Sequence, residues 1–157
     1  MDLILWRHAD AREAREGEED LTRPLTSRGE KHAKRMADWL NQFLPESTRI
    51  LVSPAVRTRQ TADALSRRYR TINQLAPGCS ADQLLMVARW PDSKEPVLVV
   101  GHQPALGQTA ALLLAAARPP QSDGWVVRKG AAWWLRQRQR EGQSEVVLIS
   151  VRGPDIV

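Results

Sequence analysis

The sequence predicts an α/β fold on a mainly parallel sheet, and three observations predict it. Short apolar runs at 3–6, 49–53 and 97–100 read continuously rather than alternating, as strands buried on both faces do. Each is followed by a segment with helical apolar spacing or helix-start signals, the order that makes neighbouring strands parallel. Only the tail changes character, to two strands around a turn near Gly142 that read as a hairpin.

The first run, in "LILWRHAD", ends with Arg7 and His8 side by side. Two basic side chains have no room in the middle of a doubly buried strand, so they are expected on a rim where the chain leaves the sheet. The loop "DAREAREGEED" at 10–20 is net acidic, and "LTSRGEKHAKRMADWLNQFLP" then carries a helix. Ser27 and Glu30 have capping-box spacing, Ala33, Met36, Ala37, Leu40 and Leu44 recur on one face, and Pro45 ends the helix. "RILVS" is the second strand, and "SPAVRTRQTADALSRRY" the helix after it, with Ser53 as N-cap and Pro54 at its first position. A weaker helix covers 81–90. "PVLVVGHQPALGQTAALLLAAA" repeats the plan: a strand at 97–100, a turn at Gly101 and His102, and a helix entered at Pro104. Repeats, low-complexity tracts and linkers are absent from the sequence.

A length of 157 residues suits one domain over 1–157, large enough for a core without disulfides or metal. A single cysteine, Cys79, forms no internal disulfide, and the start of the chain lacks a signal-peptide pattern, so a reducing cytoplasm is expected. No apolar run approaches the roughly 18 residues of a membrane span, so no membrane association is expected. The net charge of +5 suits an acidic partner. The basic runs "RRYR" at 67–70 and "RQRQR" at 136–140 come without a nucleic-acid-binding motif or an aromatic reading surface. Alternation with Gln reads the second as a solvated edge strand protected against pairing, and no nucleic-acid partner is expected.

Three junctions carry the basic residues that need explaining: Arg7 and His8 after the first strand, Arg57 in the first turn after the second, and His102 after the strand at 97–100. If the strands are parallel neighbours, these side chains converge at the carboxyl edge of the sheet. Two guanidinium forks with a helix amino terminus suit a doubly charged anion, and a phosphoryl group is the obvious candidate. One neutral imidazole in line is a nucleophile for phosphorus, and the second is a donor to the transferring oxygens. Each residue alone has a plainer reading. Either histidine could be a satisfied turn residue, Arg57 could be a surface ion-pair partner like Arg59, and Arg23 before Pro24 could simply be solvated. His32 reads as a surface residue. Trp39 and the Trp133–Trp134 pair read as packing, and Cys79 as structural.

"LWRHAD", "RPLTSRG", "SPAVRTRQTA", "VVGHQPAL" and "RKGAA", in this order, resemble the histidine phosphatase superfamily, and the "RPLT" and "GHQP" forms resemble its SixA-type phosphohistidine phosphatases. The resemblance covers 3 to about 135. It implies a phosphoglycerate mutase-like, three-layer α/β/α sandwich with a mainly parallel central sheet and C-terminal hairpin strands. It also implies a metal-independent phosphatase that needs no cofactor, with His8 as nucleophile forming a covalent phosphohistidine. Arg7, Arg57 and His102 would bind the phosphoryl group, with Arg23 bordering the pocket. The substrate so implied is phosphohistidine in a protein, and the positive charge suits an acidic phosphotransfer domain.

Two departures stand out. Ala9 replaces the family's usual glycine, which is acceptable if its φ is negative. The Glu that mutase-like relatives carry after the second helix is missing from "NQLAPGCSAD", where Pro77 stands near the expected place. Without a positioned acid an alkoxide leaves poorly, at a cost of about 10²–10⁴ in rate, unless Asp10, Glu13, Glu18 or Asp20 supplies the proton. Phosphohistidine relaxes that demand, because its ring takes a proton from solvent before the P–N bond breaks. The alternatives are a small-molecule phosphomonoesterase and a non-catalytic phosphate-binding module.

Overall fold

The computed structural model describes residues 1–120 and 123–157. Its elements are β1 (Asp2–Arg7), α1 (Ser27–Phe43), β2 (Arg49–Val52), α2 (Val56–Asp63), β3 (Arg70–Thr71), α3 (Ala81–Ala88), β4 (Val97–Gly101), α4 (Ala105–Ala115), β5 (Ala132–Arg140) and β6 (Gln143–Arg152). The strands form one sheet in the order β3-β2-β4-β1-β5-β6. Pairing is parallel from β3 through β1 and antiparallel for β1–β5 and β5–β6, so the sheet is mixed and the expected "mainly parallel" holds for its first four strands.

Alternation along the strands builds two cores. Leu3, Leu5, Leu51, Val97 and Val99 face Leu84 and Ala88 of α3 and Leu106 and Ala110 of α4. Ile4, Trp6, Ile50, Val52, Leu98 and Val100 face Met36, Ala37 and Leu40 of α1 and Ala62 of α2. The molecule is therefore the three-layer α/β/α sandwich, and both faces of β1 and β4 are sealed. Among the described residues, no helix is long and apolar enough to cross a membrane.

Several local expectations change. Helix α1 is capped by Thr26, whose hydroxyl oxygen accepts from the Gly29 amide, and Ser27 is its first helical residue; the Ser27–Glu30 capping box does not form. The Thr26 hydroxyl in turn donates to the Asp10 carboxylate at 2.7 Å, which is why the cap falls one residue earlier. Helix α2 starts at Val56 behind Ala55 as N-cap, not at Pro54 behind Ser53. It ends at Asp63 instead of running to 69, because the chain turns through Ser66 at φ 53° to lay Arg70–Thr71 beside β2. The 136–140 run lies on β5, which is interior; β6 covers it and is itself the edge. His32 is half-buried rather than on the open surface.

Candidate active site

Strands β1 and β4 are parallel neighbours, with Arg7 opposite Gly101, yet α1 after β1 and α4 after β4 lie on opposite faces. The loops leaving the two strands therefore diverge and open a crevice at their carboxyl ends, the place where open α/β sheets bind ligands. His8 and His102 are the first residues beyond β1 and β4, and the His8 amide donates to the Gly101 carbonyl at 3.2 Å. Their rings stand 5.4 Å apart, centroid to centroid, and both are buried. β2 flanks β4 on its other side and delivers Arg57 from the first turn of α2.

The His8 ring is held by its own neighbour. A carbonyl oxygen only accepts, so Nδ1 carries a proton and donates to the Ala9 carbonyl at 2.7 Å. Burial, and then the Arg57, Arg7 and Lys129 cations, push His8 down to about 4, against the opposing pull of that hydrogen bond. At neutral pH the ring is uncharged and presents an Nε2 lone pair. Burial and the neighbouring His8 and Arg57 lower His102 to about 3, so it too is neutral. Its Nε2 lies 2.7 Å from the Ser53 hydroxyl.

The guanidinium groups are anchored and only partly used. Arg7 donates from one terminal nitrogen to the Val127 carbonyl at 2.9 Å, and burial followed by the Arg57 charge lowers its pKa. Arg57, 3% exposed, donates to the Asp20 carbonyl oxygen at 2.8 Å and to its carboxylate at 3.0 Å. Among the described residues, four buried side-chain nitrogen or oxygen atoms lack a hydrogen-bond partner. Three of them are Arg7 Nε, Arg57 Nε and His102 Nδ1. Native proteins leave few such atoms, and their concentration on these residues marks a site equipped to bind oxygen atoms of an anion.

Arg23 does not join this cluster directly. It donates to the Asp20 carboxylate at 3.0 Å and the Arg12 carbonyl at 2.9 Å, so it stands behind Asp20 and reaches Arg57 only through it. Three carboxylates of the acidic loop, Asp10, Glu18 and Asp20, are committed as well. Burial works to raise Asp20, but hydrogen bonds from Arg57 and Arg23 outweigh it and hold it below the ordinary carboxylate range. Hydrogen bonds from the Arg12 side chain and Arg15 amide bring Glu18 to about 2, and the Thr26 hydroxyl bond lowers Asp10. Glu13 is exposed, and its carbonyl accepts from Arg12.

Ala9 is not among the residues with positive φ, and its methyl packs in a small core with Ala11, Leu25 and Ala33. Its amide donates to Thr61 Oγ1 at 3.1 Å. Beside the crevice a cleft of about 310 Å³ is lined by Arg7, Asp10, Arg28, His32, Arg128 and Lys129. The turn at 128–131 closes behind His8: the Gly130 amide donates to the His8 carbonyl, and the Arg7 amide to the Ala131 carbonyl. Ser53, Lys129 and the Asp20–Arg57 link escaped the sequence reading. Only the "RKGAA" similarity pointed toward Lys129. Among the described residues, no group of three or more His, Cys, Asp or Glu side chains is placed to hold a metal ion.

Comparison with known proteins agrees with this geometry. The family model for the histidine phosphatase superfamily (branch 1) matches residues 3–77. The phosphohistidine phosphatase SixA of Escherichia coli K12 is 32% identical over 129 residues, 76% of this chain and 78% of that protein. A solved structure from Nakamurella multipartitia, assigned there as a phosphohistidine phosphatase SixA, is 28% identical with a TM-score of 0.79 over 98% of this chain and 95% of that one. The protein histidine phosphatase SixA complexed with tungstate shares the fold at 24% identity, with a TM-score of 0.74 over 99% of this chain and 98% of that one. With its three-layer frame, its paired histidines at the β1/β4 crevice and these relatives, the chain belongs to the histidine phosphatase superfamily as a SixA-type phosphatase, a hydrolase.

Proposed function

We propose that the protein removes the phosphoryl group from a phosphohistidine borne on another protein, through a covalent phospho-His8 intermediate. The observation that carries the choice of substrate is the state of the carboxylates. Asp10, Glu18 and Asp20 are each held below their ordinary range by donors, the opposite of what a general acid at neutral pH requires. A phosphate ester would leave as an alkoxide with no proton available from these three. A phosphohistidine protonated from solvent on its remote nitrogen leaves as neutral imidazole.

In the first step the His8 Nε2 lone pair forms a bond to phosphorus while the substrate P–N bond breaks. Arg7, Arg57 and His102 donate to the three peripheral oxygens as charge shifts between the two rings. The His8 proton stays on Nδ1 throughout, donated to the Ala9 carbonyl. Phospho-His8 is therefore a protonated phosphoimidazole, from which the ring can leave phosphorus as neutral imidazole. Water then attacks phosphorus, the P–Nε2 bond breaks, and neutral His8 is regenerated with inorganic phosphate and a proton released. Arg23 has a supporting role, fixing Asp20 and through it Arg57.

The partner is an acidic phosphotransfer domain, received along the cleft flanked by Arg28, Arg128 and Lys129, where exposed cations surround the approach to Arg7. A single cysteine suits a cytoplasmic setting for this protein. The test is the rate of label loss from a phosphohistidine-bearing phosphotransfer domain compared with release from an aryl phosphate, both with this enzyme. Fast loss from histidine with slow aryl hydrolysis is the expected result. Efficient aryl hydrolysis with inert phosphohistidine would replace this reading with a small-ester phosphatase, and binding without any turnover with a phosphate-binding module.

A further inference from the structure

Ser53 lies at the end of β2, 0% exposed, and the sequence reading treats it as a helix cap. Its hydroxyl is used otherwise. Oγ accepts from the Ala55 amide at 3.3 Å and lies 2.7 Å from His102 Nε2. The amide has only a proton to give, so His102 Nε2 is the one partner described for Ser53 Oγ that is able to accept the hydroxyl proton. If Ser53 donates to Nε2, the hydroxyl is satisfied in both directions and the neutral ring carries its proton on Nδ1. If Nε2 carried the proton instead, the buried Ser53 hydroxyl hydrogen would have no described acceptor, and Nδ1 would offer the anion a lone pair.

We propose that Ser53 is a positioning residue: its hydroxyl donates to His102 Nε2 and fixes the Nδ1–H tautomer, so that His102 presents a donor to the phosphoryl group on its way to His8. Nδ1 is the nitrogen without a protein partner, on a ring whose centroid lies 5.4 Å from that of His8. Donors serve an oxyanion only if they are oriented before the charge arrives. The frame that holds Ser53 is itself tight, since its amide donates to the Val100 carbonyl at 3.1 Å and its carbonyl accepts from Thr58 Oγ1 at 2.9 Å. The inference rests on the phosphoryl-transfer reading for its consequence, though not for the state of the ring.

Two measurements test it. Nitrogen NMR on the histidine-labelled resting enzyme, assigned by difference with His102→Ala, reads the tautomer directly. A protonated Nδ1 and an unprotonated Nε2 are expected, and a protonated Nε2 overturns the proposal. Turnover of a phosphohistidine protein by Ser53→Ala, His102→Ala and the double variant reads its consequence. Ser53→Ala should lose about tenfold in kcat with little change in KM, less than the ~10²–10³ expected when the donor is removed altogether in His102→Ala. The double variant should be no slower than His102→Ala. Losses that multiply would show that Ser53 acts apart from His102 and overturn the proposal. Should Ser53→Ala not fold, the wild-type NMR result decides alone. Full turnover by His8→Ala would overturn the mechanism while leaving the ring's proton where the spectrum finds it.

Discussion

One proton on Nδ1 decides what the His8 ring can do, and the Ala9 carbonyl holds it there. Replacing His8 with Ala is expected to abolish turnover of a phosphohistidine protein while leaving binding of an oxyanion such as tungstate, read by calorimetry, in place. Arg57→Ala should cost about 10²–10³ in kcat, the usual loss when one donor to a transferring group is removed. Asp20→Asn separates two roles for a carboxylate beside Arg57. As a tether it should change phosphohistidine turnover by only a few-fold, and any slow aryl phosphate hydrolysis should survive. Loss of aryl hydrolysis alone would identify Asp20 as a proton donor. At this scale the sequence pointed to the residues that the crevice brings together but not to their partners. Arg57 meets Asp20 across 37 positions and Ser53 meets His102 across 49, and no local spacing encodes either contact.

The elements explain why the histidines meet. "LILW" and "VLVV" are legible as strands because burial on both faces makes them continuously apolar, and the residue that follows each is forced to the rim. Helix starts were less legible. Thr26 and Ser27 are both acceptable caps, and the choice is made by a hydrogen bond to Asp10, a tertiary contact. Ser53 resembles a cap for the same chemical reason that it serves His102. Gly29 shows how closely α1 approaches the site: a Cβ there would run into the Asp10 carbonyl. Gly29→Ala should therefore destabilise the fold by about 1–3 kcal/mol, measured by urea unfolding, and lower kcat by shifting the 8–10 segment. Unchanged stability would mean that α1 moves away freely. The 136–140 run misled because its alternation suits any half-exposed strand, and whether a strand is interior is settled only by which partner pairs with it.

For the molecule as a whole, two buried neutral histidines tie stability to pH. Each has a folded pKa near 4 or 3 against about 6.5 in the unfolded chain, so below 6.5 the unfolded state binds more protons. Stability is therefore full above about pH 6.5 and declines as pH falls toward 4, by roughly 3 kcal/mol on account of His8 alone. The lowered carboxylates Asp2, Glu18 and Asp20 lose their contribution only at still lower pH, below their ordinary values near 4. Urea midpoints measured between pH 7 and 4 should show the decline, and His8→Asn should flatten part of it. A flat profile in the parent protein would mean that the histidines are solvated and titrate normally. The parallel strands were legible from strand–helix alternation, whereas the three-layer arrangement was implied by the family resemblance. The antiparallel addition of β5 and β6 beside β1 was visible only as a change of pattern in the tail.

The covalent intermediate is tested by quenching the enzyme within its first turnover of a radiolabelled phosphohistidine protein and locating the label. An acid-labile, base-stable phosphoryl group on His8 is expected, absent from His8→Ala. Label passing to inorganic phosphate without ever residing on the enzyme, or residing on another residue, would contradict it.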